Sequence, residues 1–184
     1  KKKKKKKNSR LSVFYSYTSR AISQGFYSTS GTNLIVIPEN LASNSRRGLR
    51  IDLSNIVNIS WWQISFSGTV VYMENRWREL LQKKRSSQLS PMANINSNFL
   101  FSNSWNLQVS GYYNGVADFG QISIPHSWSM NVSIRKKVSG DKLSFVFFVN
   151  DIFSSIRERS VFRVSNIEGY SDVRYSETCV GVGV

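Results

Sequence analysis

A single cysteine, Cys179, in 184 residues leaves no disulfide framework and no thiolate metal cluster to organise a fold. Histidine is as scarce. His126 stands alone beside Pro125 in a loop-like stretch, the setting of a solvated side chain rather than a catalytic one. The eleven acidic residues are scattered, with none at the spacing of a metal loop. No Gly-rich phosphate cradle occurs, and no nucleophile comes with a base. The expectation is therefore no catalytic residue, no cofactor-binding residue and no metal site, and a protein that is not an enzyme. No run approaches the roughly eighteen apolar residues that a membrane-spanning helix needs. No apolar segment follows the opening lysines, so the start does not read as a signal peptide.

Basic residues are plentiful, 25 Lys and Arg against 11 Asp and Glu, but Lys1–Lys7 supply half of the +14 net charge. Such a run repels itself and stays disordered. Because it adjoins no basic fold, it reads as a tag or reading-frame artefact rather than a phosphate-binding arm. Residues 1–10 are set aside as a disordered leader, and 11–184 as one partial barrel domain.

Strict alternation fills the remainder. Seven or eight stretches of about ten residues place apolar side chains on one face and polar ones on the other, the period of a β-strand. Leu11, Val13, Tyr15 and Tyr17 alternate with Ser12, Ser16 and Thr18, and only Phe14 breaks the polar face. Leu49, Ile51 and Leu53 follow. Trp62, Ile64, Phe66, Gly68, Val70 and Tyr72 make the longest clean series, and Ala93 to Phe101 the next. Trp105 to Tyr113, Trp128 to Ile134 and Leu143 to Val149 complete it. Over Val173–Val184 the parity switches, which a bulge would explain.

Connections sort into two kinds. Asn55–Asn58, Ser102–Ser104 and Ser139–Asp141 are short. Those around 28–47, 76–89, 114–126 and 153–169 are long and polar, and the two kinds alternate without exception. In an up-and-down sheet this puts every tight turn at one end and every long loop at the other, the asymmetry of outer-membrane barrels.

The apolar face must meet either a protein core or lipid. Trp61, Trp62 and Trp105 fall next to short turns, while Tyr72, Trp77, Tyr112 and Tyr113 fall towards the long loops, as two interfacial girdles would. The opposite face is Ser, Asn, Gln and Thr, suited to a hydrated lumen. Strands of about ten residues exceed the usual five or six of soluble sheets. About eight strands close into a small barrel only if side chains fill it, and these polar residues are small, so a segment of a wider barrel fits better. A soluble β-sandwich or adhesin-like module is the alternative, with an aromatic core between two layers. A nucleic-acid partner is not expected, because the rings share their face with Ile, Val and Leu rather than with basic residues.

The block DKLSFVFFVNDIF (Asp141–Phe153), preceded by WSMNVSIRKK (Trp128–Lys137), resembles the C-terminal barrel region of Bacteroidetes TonB-dependent outer-membrane receptors. FLFSNSWNLQVSGYYNG (Phe99–Gly115) fits the same pattern, and the likeness runs from about Leu11 to about Tyr175. The resemblance implies an all-β, antiparallel, up-and-down transmembrane barrel of the twenty-two-stranded, plugged type. It also implies nutrient uptake energised by a TonB complex and a location in the outer membrane of a Gram-negative bacterium. Its partners would be outer-membrane lipid and lipopolysaccharide, and the remaining strands and plug domain of a full-length receptor. The chain departs from that pattern: it shows no plug, no TonB-contacting segment and only about eight strands, and it closes on GVGV (Gly181–Val184) where an aromatic is usual. A fragment or truncated reading frame is the expectation.

Overall fold

The computed structural model describes residues 8–29, 33–79, 82–101, 104–119, 122–138, 143–164, 167–174 and 180–183. Every regular element among them is a β-strand. The long strands are β1 (Asn8–Thr29), β2 (Asn33–Asn58), β3 (Trp62–Glu79) and β4 (Gln82–Leu100). β5 (Trp105–Asn114), β8 (Ser127–Val138), β9 (Leu143–Val149) and β12 (Val180–Gly183) continue the same antiparallel sheet, in the order β1-β2-β3-β4-β5-β8-β9-β12. β6 (Ala117–Asp118), β7 (Ile122–Ile124), β10 (Arg157–Val164) and β11 (Ile167–Arg174) form a second, four-stranded sheet, ordered β11-β10-β7-β6. The first sheet is an up-and-down meander, and it is open: β1 and β12 are its edges.

Register confirms the two-faced reading strand by strand. Leu49 pairs with Val13 and with Val70, and Val70 with Pro91. Ile95 pairs with Phe66 and with Gly111, and Gly111 with Met130. Directly paired residues share a face, so one side of the sheet is a continuous apolar field. On the other side Ser65, Asn96, Ser110 and Asn131 make one polar row, and Gln63, Asn98, Gln108 and Ser133 another.

Several connections are more ordered than alternation suggested. The expected loops 28–47 and 76–89 are largely strand: β1 pairs with β2 up to Thr29↔Asn33, and β3 with β4 up to Glu79↔Gln82. Neither stretch alternates, because a ribbon standing beyond the apolar band has two wet faces and needs no alternation, and even the apolar run Ile35–Ile37 is exposed. The connections 114–126 and 153–169 carry β6, β7 and β10 and so build the second sheet. The tight reversal falls at Ser60–Trp61, where Ile59 and Trp62 exchange backbone hydrogen bonds (3.0 and 3.3 Å), not at Asn55–Asn58. Asn55–Asn58 holds a register shift between Leu53 and Val57, with Asn55 in the left-handed region (φ 57°). Asparagine tolerates that conformation better than most residues, and Asn–Ile–Val–Asn mimics a turn. The parity switch needs no bulge: Val173 lies in β11 of one sheet, whereas Val180 and Val182 lie in β12, opposite Val149 and Phe147 of the other. Asn8, Ser9 and Arg10 belong to β1, paired with Ser54, Leu53 and Asp52, so the strand starts inside the expected leader. Lys1–Lys7, the Ser139–Asp141 turn, Ser102, Cys179 and Val184 lie outside the described residues.

Phe14, the one apolar interruption of the polar face, has a partner. It is paired with Gly48, and a Cβ built on Gly48 would stand 2.6 Å from the Phe14 ring and 2.7 Å from the Val70 carbonyl. The ring covers the glycine, and Val71, next along the same row, is buried. Such a ring-over-glycine pair fixes register, because a one-residue slip would put a side chain where none fits. Gly48→Ala is expected to cost about 1–3 kcal/mol through overpacking, read from the urea midpoint of the detergent-solubilised protein. Adding Phe14→Ala should recover only part of the loss, since the Val70 carbonyl stays in the way.

Candidate functional site

The apolar face is bounded at both ends by rings. At the tight-turn end Trp61 stacks on Trp62 (5.8 Å), Trp62 on Phe99 (5.7 Å) and Phe99 on Phe101 (6.2 Å). Trp62 Nε1–H donates to Ser97 Oγ at 2.8 Å, and the Lys136 ammonium lies 4.3 Å over the Trp105 ring. At the other end the Arg47 guanidinium lies 4.8 Å over Tyr72, Trp128 meets Phe153 at 5.7 Å, and Tyr113 stacks on His126 at 6.2 Å. From Trp62 to Tyr72 a tilted strand rises about 23 Å, the height of a bilayer's apolar band. Tyr112, expected in the upper ring, faces the other way: it pairs with Asn94 and Ser129 on the polar side. The side chain of Trp77 lies outside the described residues.

Beyond Tyr72 the same face turns charged. Glu74 accepts from Arg76 Nε at 2.7 Å and from Arg85 Nη2 at 2.9 Å, although Arg76 and Arg85 themselves remain exposed. The Arg76 hydrogen bond, aided by the positive charge of both arginines, outweighs desolvation and holds the Glu74 carboxyl below its ordinary pKa.

Among the described residues no second layer covers the apolar field. Val13 is 80% exposed, Leu11 64% and Phe147 52%. Among the described residues the only buried apolar side chains are Val71 and Met73, and both lie on the polar side. There the β5–β8 connection folds in: Gly115 N–H donates to the Pro91 carbonyl at 2.7 Å, and the Asn75 amide donates to the Asp118 carbonyl. β6 thus rests on β4, while β10, an inner strand of the small sheet, reaches β1. The small sheet stretches over the polar face at the long-connection end, as a partial cover of the mouth.

One residue locks that cover to the wall. Asp151 is 2% exposed and sits just past β9 with φ 48°. Its Oδ1 accepts from Ser129 Oγ (3.3 Å) and Ser155 N–H (3.0 Å), and its Oδ2 accepts from Ile156 N–H (2.9 Å). The Ser155 hydroxyl lies 2.7 Å from Oδ1 and 2.8 Å from the Trp128 carbonyl, and its one proton serves either. Asp151 N–H donates to Asn131 Oδ1 at 2.8 Å, and Ile152 N–H to the Met130 carbonyl at 2.9 Å. Burial alone would raise the Asp151 pKa, but the hydrogen bonds from Ile156, Ser155 and Ser129 together bring it below the ordinary value. Sequence reading passed over this residue, since a lone Asp in a loop is common. The spacing Asp151 to Ser155, directly after a strand, was the available signal.

An exposed apolar band of bilayer height, ringed by aromatics and backed by a polar face, defines a strand-built membrane wall of the outer-membrane β-barrel class. The chain belongs to the outer membrane protein beta-barrel family, whose family model matches residues 1–182, and its location is the outer membrane of Gram-negative bacteria. No curated protein and no solved structure matches it. A soluble sandwich is incompatible with this arrangement. Trp62, Phe66, Val132 and Phe145, the core such a fold would need, are only half-buried on the face that no described second layer covers. The described residues hold no group of three or more potential metal ligands, and His126 rests against Tyr113.

The Asp151 lock has a testable pH dependence. A lowered native pKa means its contribution is full above the ordinary value of 3.8 and is lost as pH falls through the lower native value. Hydrogen-exchange protection at Ser155 and Ile156 should therefore survive to below pH 3.8 in the wild type. Asp151→Asn should lose that protection near neutrality, at a cost of about 1–3 kcal/mol.

Proposed function

We propose that this chain is part of the wall of a TonB-dependent receptor that imports a nutrient across the outer membrane, a transport element rather than a catalyst. The observation that carries the reading is the polar face. Its rows of Ser, Asn and Gln are too small to fill a closed eight-stranded barrel, yet they suit the water-lined side of a wider one around a plug. Strands that overshoot the apolar band, and the small sheet bent over the mouth, are what a receptor gripping external cargo would use. In this reading the β1 and β12 edges pair with the remaining barrel strands, because hydrocarbon tolerates no unpaired edge. The plug contacts the inner face, the TonB complex acts through that plug, and lipopolysaccharide surrounds Arg47, Arg76 and Arg85 on the outer face. Nucleic acid has no place in it.

Closure distinguishes the narrow barrel from the wide one. In a Cys179→Ser background, cysteine pairs placed along residues 9–13 of β1 and 180–183 of β12 should not cross-link in native membranes; efficient cross-linking would mean self-closure and sink the wide-barrel reading. Import is tested separately. Growth on a nutrient that requires the intact gene should collapse when TonB is deleted, and growth indifferent to TonB would overturn the transport assignment.

A further inference from the structure

The outer face is not evenly filled. Two adjacent cross-strand rows run Phe66–Ile95–Gly111–Met130 and Gly68–Ala93–Tyr113–Trp128. Gly111 leaves out a side chain between Ile95 and Met130, which stand on strands about 9–10 Å apart. Gly68 and Ala93 keep the neighbouring row low at its start. The outcome is a groove of about 450 Å3 lined by Phe66, Ile95, Gly111, Trp128, Met130 and Phe153, almost wholly carbon. Phe153 walls one side of its upper end. The left-handed turn at Asp151, held by Ser129, Ser155 and Ile156, delivers Phe153 from the mouth onto the Trp128 ring.

We propose that this groove seats one acyl chain of a membrane lipid as a retained ligand, more slowly exchanged than the lipid around it. Depth chooses the occupant. The groove lies within the apolar band, continuous with the lipid-contacting face and below the Tyr72 level, where hydrocarbon chains are the molecules at hand. An unfilled apolar groove forfeits dispersion contacts along its whole lining, and a flexible chain restores them. Phe66, Ile95 and Met130 offer aromatic, branched and thioether walls that adapt to such a chain. Trp128 and Phe153 mark the end at which the headgroup emerges. The inference rests on membrane placement and holds whatever the barrel imports.

The full chain, reconstituted with palmitoyl-oleoyl phosphatidylethanolamine and extracted into a steroid-tailed detergent that cannot mimic an alkyl chain, is weighed by native mass spectrometry. A single retained phospholipid per chain is expected. Gly111→Ala should keep it, because the added Cβ meets the Ser129 carbonyl at 3.4 Å and Ile95 Cγ2 at 3.6 Å, ordinary contacts. Gly111→Leu fills the notch and should lower retention about tenfold, equal to about 1.4 kcal/mol, with heat-modifiable gel mobility unchanged. If Gly111→Leu does not insert, Phe153→Ser opens the groove from its upper end and should lower retention in the same direction. A wild type that carries no lipid, equal retention in the filled or opened variants, or a second copy of the chain bound in place of lipid would each overturn the proposal.

Discussion

Hydrocarbon offers a peptide group no hydrogen-bond partner, and the large sheet meets that demand with neighbouring strands everywhere but at its β1 and β12 edges. Each strand of the large sheet satisfies its backbone against the next, from β1 to β12, while its side chains divide by parity between two solvents. This is why register matters more here than side-chain packing. A slip of one residue would present Asn94, Asn96 and Asn98 to lipid and strand Ile95 in water. Devices that hold register are accordingly built into the wall: Phe14 over Gly48, and the two-residue reversal at Ser60–Trp61 whose second residue anchors the lower ring of aromatics.

The strands outlast the membrane. β1 to β4 run well past the Tyr72 level, and there the outer face carries the Glu74, Arg76 and Arg85 cluster rather than more hydrocarbon. On the inner face, the connections from β5 to β8 and from β9 to β12 do not trail into solvent but join each other as a sheet. Asp151 makes that possible at one corner. A buried carboxylate is costly unless donors surround it, and here three backbone or side-chain neighbours from one turn, together with Ser129 of the wall, supply them. The same turn sends Phe153 outward to Trp128, so a polar knot on one side of the wall sets an aromatic contact on the other.

Alternation determined much of this by itself. From Leu11 to Val149 the chain's period of two specified strands, their approximate number, which residues share a face, and the placing of tight turns at one end only. Trp61, Trp62 and Trp105 could be assigned to the lower ring from their positions next to turns, because amphipathic rings and tight reversals coincide at a membrane boundary. The stretches without alternation were the unreadable part. Residues 28–47 and 76–89 carry no alternation, since both faces of a ribbon in water are equivalent, and only cross-strand pairing reveals them as strand. Tertiary structure alone decided that Phe14 shields a glycine 34 positions away in sequence, that the mouth connections pair with one another, and that the Ser129 hydroxyl donates to the Asp151 carboxylate 22 residues away. Each of these depends on contacts between distant segments, for which local composition carries no signal.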